Sequence, residues 1–190
     1  MNEFKKRFSK GNQLQNEFLA WLNDNGINYL LSGYEHQTGS INAKALIGAQ
    51  NNNTALFVRH YPDTTIITIN HTVLVEVKNS SGIEKGCYDT YMNLKEKLNL
   101  HILLFCKNKM LCKIEDLIFR KMKYFDEISN MSVPVIDDVW RNPRAMNNSD
   151  YRQYLDAYSR ANKYTSGSTF AFIDFEKTRF VPLEKLLSLL

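Results

Sequence analysis

The chain has 190 residues and a formal net charge of +4, and 44% of its residues are hydrophobic. This composition supports one well-packed domain and excludes a disordered or fibrous protein. No apolar run is long enough to cross a bilayer, and none follows the basic start MNEFKKRFSKGNQ, so we expect a cytoplasmic protein without a signal peptide. Cys87, Cys106 and Cys112 show no CxxC spacing, which disfavours a zinc site or a disulfide framework.

The first part of the chain predicts a helix, a strand and a surface segment. Residues 11–25 form an amphipathic pattern, with Leu14, Phe18, Trp21 and Leu22 at helical spacing. Gly26 follows and is expected to end this helix. Residues 27–34 are typical of a strand. Residues 35–53 are small and polar, which predicts a mobile surface segment with one short helix.

The middle of the chain predicts two strands, a helix and a buried strand. TTIITI and VLVEVK are β-rich runs within residues 61–78, and residues 84–98 carry apolar side chains at helical spacing. LHILLFC at 100–106 is continuously apolar, as in a strand covered on both faces. The order strand, helix, strand predicts a parallel crossover between VLVEVK and LHILLFC.

The remainder predicts further elements around the same sheet. We expect 107–109 to turn, 110–114 to pair back, 116–125 to be helical and 130–148 to be mostly loop. Ser149 or Asp150 is expected to cap a helix that buries Tyr151, Tyr154, Leu155 and Tyr158, before a strand at 170–175 and a terminal helix from Pro182. The whole predicts an α/β fold with a central mixed sheet flanked by helices. Residues 1–110 are its core, and 111–190 are an extension packed on the same domain.

Three charged residues lie at or within the β-rich runs, where a buried strand does not normally carry charge. If Asn70-His71 forms a two-residue turn, Thr65 lies opposite Glu76 and Asp63 opposite Lys78, with all three charges on one face. Two converging carboxylates repel each other unless a divalent cation such as Mg²⁺ binds between them. A neighbouring lysine can then orient an attacking water or stabilise negative charge. The set suits metal-assisted hydrolysis of a phosphodiester.

Pro62-Asp63 followed by Glu76-Val77-Lys78 resembles the PD…(D/E)xK signature of restriction-endonuclease-like nucleases, and the order of elements over residues 11–106 is similar too. The resemblance implies a restriction-endonuclease-like core in which Asp63, Glu76 and the Val77 carbonyl bind Mg²⁺, with Mn²⁺ as a substitute. Lys78 would assist the water. Holliday-junction resolvases in this superfamily also use a glutamate from the first helix, for which Glu17 is the candidate. DNA is the implied substrate, and a homodimer is a further implication.

Other interpretations stay open at this point. The three charges can form a solvated edge-strand ion pair, and Glu17 can border the apolar helix face. The protein can be a non-catalytic nucleic-acid-binding or protein-interaction module of the same fold, or an RNA endonuclease. Two histidines and several basic residues are weaker candidates for contacts with a nucleic acid. They are His60, His71, Lys5, Lys6, Arg7, Lys10, Lys85, Arg141, Arg144 and Arg152.

Overall fold

A computed structural model describes residues 3–32, 60–106, 110–163, 165 and 167–189. The helices in these ranges are α1 (Glu3–Asp24), α2 (Lys85–Leu98) and α3 (Asn148–Arg160). The strands are β1 (Tyr29–Leu31), β2 (Thr64–Ile67), β3 (Thr72–Lys78), β4 (Gly82–Glu84), β5 (His101–Cys106), β6 (Met110–Lys113), β7 (Phe125–Asp126), β8 (Met131–Ser132), β9 (Val135–Ile136), β10 (Trp140–Arg141), β11 (Phe170–Phe172) and β12 (Val181–Pro182). The expected surface segment at 35–53 and the expected turn at 107–109 lie outside the described residues. Within them, no helix is long and apolar enough to span a membrane.

The central sheet has six strands in the order β1-β2-β3-β5-β6-β12. β3 and β5 pair in parallel and α2 connects them, while the other neighbours pair antiparallel. The predicted parallel crossover is therefore confirmed, and so is the prediction of a mixed α/β sheet flanked by helices. The crossover makes β3 a central strand with a paired neighbour on each side.

The two faces of the central sheet pack against different helices. Side chains alternate along a strand, so odd-numbered residues of β3 and β5 point to one face and even-numbered residues to the other. The odd-numbered face packs against Leu14, Phe18 and Leu22 of α1, and Phe18 stacks on Phe105 with ring centroids 4.7 Å apart. The even-numbered face packs against α2 through Tyr91 and Leu94. Even-numbered residues at the end of β3 therefore point to the side of α2.

α1 is longer than the sequence pattern predicts, since it begins at Glu3 rather than near residue 11. Its end is as predicted: Gly26 has a φ of 64°, a left-handed conformation that glycine adopts without a steric cost. The Ile27 N–H then donates to the Leu22 carbonyl at 2.9 Å. This cap directs the chain into β1 at the edge of the sheet.

The segment after β6 differs from its prediction. Residues 116–125 are not a helix, because the chain makes one short 3₁₀ turn at Ile114–Asp116 and then runs extended. Leu117 is buried and Ile118 exposed, an alternation that suits extended backbone, and Phe119 bridges to Ile173. Residues 130–148 also contain strands, where mostly loop was expected. β9 and β10 join a second sheet in the order β4-β11-β10-β9.

The C-terminal elements follow the predicted order, but their first and last residues differ from the prediction. Asn147, rather than Ser149 or Asp150, caps α3, and its side-chain oxygen accepts from the Asp150 N–H at 2.9 Å. Tyr154 is fully buried, whereas the other three residues expected to be buried on this helix are half-buried. The strand predicted at 170–175 is the shorter β11. The terminal helix after Pro182 is a 3₁₀ helix over Leu183–Leu189.

Candidate active site

The β2–β3 hairpin has a longer loop than the sequence predicts. Ile67 pairs with Thr72, so residues 68–71 form the loop and the predicted two-residue turn is wrong. Thr68 closes this loop because its hydroxyl accepts from the His71 N–H at 2.9 Å, and its N–H donates to the His71 carbonyl at 2.9 Å. The Thr68 side chain, and not only the residue pair Asn70-His71, therefore sets the register of β2 and β3.

The longer loop shifts the register by two residues and keeps the faces of the strands. Thr65 pairs with Leu74, rather than with Glu76 as predicted, and Thr64 pairs with Val75. One further step places Asp63 level with Glu76 instead of Lys78. Because side chains alternate with a period of two, a shift of two returns each residue to its predicted face. Asp63 and Glu76 thus come closer together than the predicted register implies.

Asp63 is held at the end of the hairpin by contacts on two sides. Its carboxylate accepts from the Val77 N–H at 2.8 Å, and its carbonyl accepts from the Ser32 N–H at 2.9 Å. The Ser32 hydroxyl donates to the Pro62 carbonyl at 2.8 Å. Asp63 is 6% exposed, so its carboxylate is fixed in a mostly dry position beside the backbone of β3.

The Val77 carbonyl points towards the same edge of β3 as Asp63. In a strand, the N–H and C=O of one residue project to the same edge. The Val77 N–H projects towards Asp63, so its carbonyl projects to that side as well. The structure therefore places a backbone oxygen and a carboxylate at the point where β2 and β3 separate.

Glu76 and Lys78 form an ion pair on the α2 side of the sheet. The Lys78 Nζ lies 2.8 Å from the Glu76 Oε1, and Glu76 is 7% exposed. The Glu76 charge is the main cause that raises the pKa of Lys78 above its ordinary value. Burial lowers this pKa, but the charges of Cys87 and Asp63 also raise it. The Lys78 side chain as a whole is 24% exposed.

Tyr91 of α2 is a member of the site that the sequence analysis did not identify. It is 1% exposed, and its hydroxyl hydrogen-bonds to Glu76. Burial first, and then the Glu76 charge, raises the pKa of Tyr91 well above its usual range, so the neutral phenol donates to the carboxylate. Helical spacing predicted its burial, but only the packing of α2 on β3 shows what its hydroxyl contacts.

Glu17, the candidate from the first helix, does not lie on the inward face of α1. Its side chain is exposed, and its Oε1 accepts a hydrogen bond from Gln13 at 3.1 Å. Among the described side chains of this helix, Gln15 is the buried polar one, and it lies beside Leu14 and one turn from Phe18. A residue one position before Phe18 is rotated by about 100° from it, which turns Glu17 out of the packed face. A catalytic role for Glu17 stays a prediction.

Close to this site lies a second group of side chains, which we call the thiol cluster: His60, Glu84 and Cys87. One ligand atom from each lies within 4.8 Å of the others, and all three residues are half-buried. Burial is the main cause that raises the pKa of the Cys87 thiol to about 12, although the Lys78 charge lowers it. Glu84 and Cys87 are three residues apart at the start of α2. His60 comes from a distant part of the chain, so sequence spacing gives no signal for the group.

Several of the predicted nucleic-acid contacts have partners within the protein. Lys85 pairs with Asp89 at 2.8 Å and lies 5.5 Å from the centre of the Trp140 ring. Arg141 is paired with Asp126, and its side chain is only 11% exposed. His71 is exposed in the hairpin loop and packs edge-on against His101. The side chains of Lys5, Lys6, Arg7 and Lys10 lie outside what the structure describes.

Asp126 is the centre of a buried polar network that explains the position of Arg141. Its carboxylate accepts from the Ser129 N–H at 2.8 Å and the Tyr158 hydroxyl at 2.8 Å, in addition to Arg141. Burial alone raises the pKa of Asp126, but these hydrogen bonds and the Arg141 charge outweigh it and lower the pKa overall. The network ties the β7–β8 hairpin to β10 and α3, so Arg141 has a structural contact.

Asp126→Asn is expected to lower the free energy of unfolding by about 3 kcal/mol, because it leaves the buried Arg141 charge without its partner. The control is Asp138→Asn, whose carboxylate is exposed and pairs with Lys121, with an expected change within about 0.5 kcal/mol. Denaturant unfolding measures both. The pKa of Asp126 is lowered by folding, so its contribution is present above the unfolded pKa of about 4 and is lost as the pH falls below it. Equal stability of the two variants at neutral pH contradicts this assignment.

Comparison with known proteins gives a distant structural similarity. No family model matches the chain, and no curated protein matches it significantly. Among solved structures it is similar to Hjc of Archaeoglobus fulgidus, a Holliday junction resolvase from an archaeal hyperthermophile. The sequence identity is 12%, the match covers 83% of this chain and 99% of Hjc, and the TM-score is 0.39. A similarity of this degree assigns no family.

Proposed function

We propose that this protein is a metal-dependent nuclease that hydrolyses phosphodiester bonds in DNA. One observation carries the proposal. Two nearly buried carboxylates, Asp63 and Glu76, lie level with each other where two strands separate, and Lys78 lies 2.8 Å from Glu76. Burial of like charges costs free energy, which a site for a divalent cation and a phosphate would explain.

The donor set fits Mg²⁺, with Mn²⁺ as its substitute. Asp63 and Glu76 offer carboxylate oxygens, and the Val77 carbonyl projects to the same edge as Asp63. These are hard oxygen ligands of the kind that Mg²⁺ prefers. When bound there, the cation would lower the pKa of a water and polarise a phosphoryl oxygen. The Val77 N–H and the Tyr91 hydroxyl fix the orientation of the two carboxylates.

Lys78 acts in this proposal as a charged donor. Its raised pKa keeps it protonated at neutral pH, so it does not serve as a general base. An ammonium stabilises negative charge that develops on the scissile phosphate, or it orients the attacking water. Since Glu76 holds the Nζ at 2.8 Å, the charge is positioned before substrate arrives. Positioning of this kind lowers the reorganisation that the reaction requires.

We also propose how the chain is organised and which partners it binds. Residues 1–110 form the catalytic core, and residues 111–190 form an extension, in which β12 lengthens the central sheet beyond β6. DNA is the proposed partner and a homodimer the proposed assembly, in the cytoplasm. Glu17 is a fourth candidate, with an exposed carboxylate on α1, the helix that packs on the face of the sheet opposite Glu76 and Lys78.

One observation favours a second candidate function. The Glu76–Lys78 ion pair satisfies both charges within the protein, which suits a nucleic-acid-binding or protein-interaction module that keeps the fold without cleaving. In that case Asp63 serves mainly to accept from the Val77 N–H at the end of β3. The two functions differ in whether catalysis depends on a divalent cation.

The test is a cleavage assay with Mg²⁺ or Mn²⁺ on linear, branched and single-stranded DNA and on RNA. We expect DNA cleavage that stops when the metal is chelated with EDTA, since the two carboxylates alone cannot stabilise the transition-state charge. Cleavage of RNA alone would assign an RNA endonuclease. Binding of DNA without cleavage at any metal concentration would support the non-catalytic module.

A further inference from the structure

The thiol cluster brings three different metal-binding groups together from separate segments. His60 precedes Pro62-Asp63, Glu84 ends β4, and Cys87 lies in the first turn of α2. An imidazole nitrogen, a carboxylate oxygen and a thiol sulfur of these residues lie within 4.8 Å of one another. All three residues of the cluster are half-buried.

Gly86 makes the position of His60 possible. A Cβ at residue 86 would lie 2.7 Å from the His60 Cε1 and 3.2 Å from its Nδ1, closer than side chains pack. The backbone of Gly86 does not have a positive φ, so glycine is not required there by backbone conformation. The contact with the imidazole therefore accounts for the glycine, which lets the ring approach the start of α2.

The Glu84 side chain does not cap α2, although Glu84 occupies the N-cap position of that helix. Glu84 is the N-cap residue of α2, with extended backbone at φ −76° and ψ 140°, yet its side chain makes no capping hydrogen bond. A carboxylate that capped the helix would turn towards the backbone amides of the first turn. In this structure it lies instead with His60 and Cys87.

We propose that His60, Glu84 and Cys87 form a second metal site, separate from Asp63 and Glu76, that binds a borderline-soft divalent cation of the Zn²⁺ type. Sulfur and nitrogen ligands select such ions over Mg²⁺, and three protein ligands leave a fourth tetrahedral position for water. Bond lengths to Zn²⁺ of about 2.0–2.3 Å imply ligand atoms roughly 3.3–3.7 Å apart, so side-chain shifts of about 1 Å suffice. On binding, the Cys87 thiol loses its proton to solvent and the sulfur bonds to the metal.

The charges around the cluster are compatible with a bound cation. The positive end of the α2 dipole opposes a cation at this position. A thiolate and a carboxylate together cancel the two charges of the ion, which removes most of that penalty. The Lys78 charge, which acts on the Cys87 thiol, is paired with Glu76, and Lys85, the nearest positive charge in sequence, is paired with Asp89. The cysteines have no CxxC spacing, and the sequence pattern therefore disfavoured a zinc site. A site that uses a single cysteine does not need that spacing.

The site adjoins the proposed nuclease site through Tyr91. The Tyr91 side chain hydrogen-bonds both to Glu76 and to Cys87. Binding at the two sites therefore has to be measured separately. The experiment below uses the spectrum of the sulfur–metal bond, to which Asp63 and Glu76 make no contribution, and it succeeds or fails independently of DNA cleavage.

The test is a Co²⁺ titration of the full chain, followed by the thiolate-to-cobalt charge-transfer absorption. The wild-type protein is expected to show this absorption at one equivalent, and Zn²⁺ is expected to abolish it by competition. Cys87→Ser should lose it completely. Two controls should keep it, Cys106→Ala and Cys112→Ala, because each removes another buried thiol.

Two further variants test the histidine ligand without touching sulfur. His60→Ala is expected to weaken Co²⁺ binding by at least about a hundredfold. Gly86→Ala should weaken it as well, because the added methyl displaces the imidazole. Circular dichroism confirms that each variant is folded. The proposal is overturned if the wild-type protein shows no charge-transfer absorption and takes up no Zn²⁺ in equilibrium dialysis, or if the absorption persists in Cys87→Ser.

Discussion

Glu76→Gln is expected to lower the rate of DNA cleavage by at least about a thousandfold, the upper part of the range for losing one group that stabilises transition-state charge. The amide keeps the size of the side chain in a position that is 7% exposed, so the packing against α2 is preserved. It removes the negative charge that both attracts a divalent cation and holds Lys78 at 2.8 Å. Metal binding and positioning of the ammonium are therefore lost together.

Calorimetric titration with Mn²⁺ measures the first of these losses, and single-turnover cleavage measures the second. Asp89→Asn is the matched control, because it removes one carboxylate from α2 that is 49% exposed and paired with Lys85. Its Mn²⁺ affinity and cleavage rate should equal those of the wild-type protein. DNA binding should survive in both variants, since phosphate contacts from other basic residues remain. An unchanged Mn²⁺ affinity in Glu76→Gln would show that Glu76 is not a ligand.

Lys78→Ala is expected to retain Mn²⁺ binding and to lose at least about a hundredfold in single-turnover rate, the scale of one positioned charge-stabilising group. A protonated amine has no lone pair for a metal, and the raised pKa of Lys78 keeps it protonated. Its effect must therefore be on the water or on the phosphate. The variant also releases Glu76 from its ion pair, so Mn²⁺ affinity is expected to stay equal or to rise.

A surface lysine provides the control for this second prediction. Lys95→Ala removes a lysine from α2 that pairs with Glu115 at 3.5 Å, and its rate should match that of the wild-type protein. Lys78→Arg keeps the charge but brings a planar, larger group, so it should restore only part of the rate. A wild-type rate in Lys78→Ala would make the Glu76–Lys78 pair purely structural and would favour the non-catalytic module.

The order of elements and the residues of the site are determined largely by local sequence pattern. Apolar spacing over residues 84–98 and the continuous run at 100–106 predict α2 and β5, and with VLVEVK they predict the parallel crossover. Alternation along β3 puts Glu76 and Lys78 on one face whatever the neighbouring strand does. Gly26 ends α1 through its own backbone freedom. Such features need only residues close together in sequence, so a pattern can predict them.

Contacts between residues far apart in sequence determine the features of the site and the fold that these local patterns do not predict. The hydrogen bond from the Val77 N–H, fourteen residues further along the chain, fixes the Asp63 carboxylate beside β3. The rotation of α1 on the sheet buries Gln15 and leaves Glu17 exposed. The segment after β6 runs extended, because Phe119 bridges to Ile173 across more than fifty residues.

The thiol cluster shows the same division most clearly. Cys87 and Glu84 are near each other in sequence, whereas His60 is distant from both. The fold brings His60 to the start of α2, where Gly86 has no side chain to block the imidazole. Sequence by itself determined which chemical groups the chain holds and on which face of a strand or helix many of them lie. The tertiary structure decided which of those groups meet, because the free energy of burying one face against another depends on residues far apart in sequence.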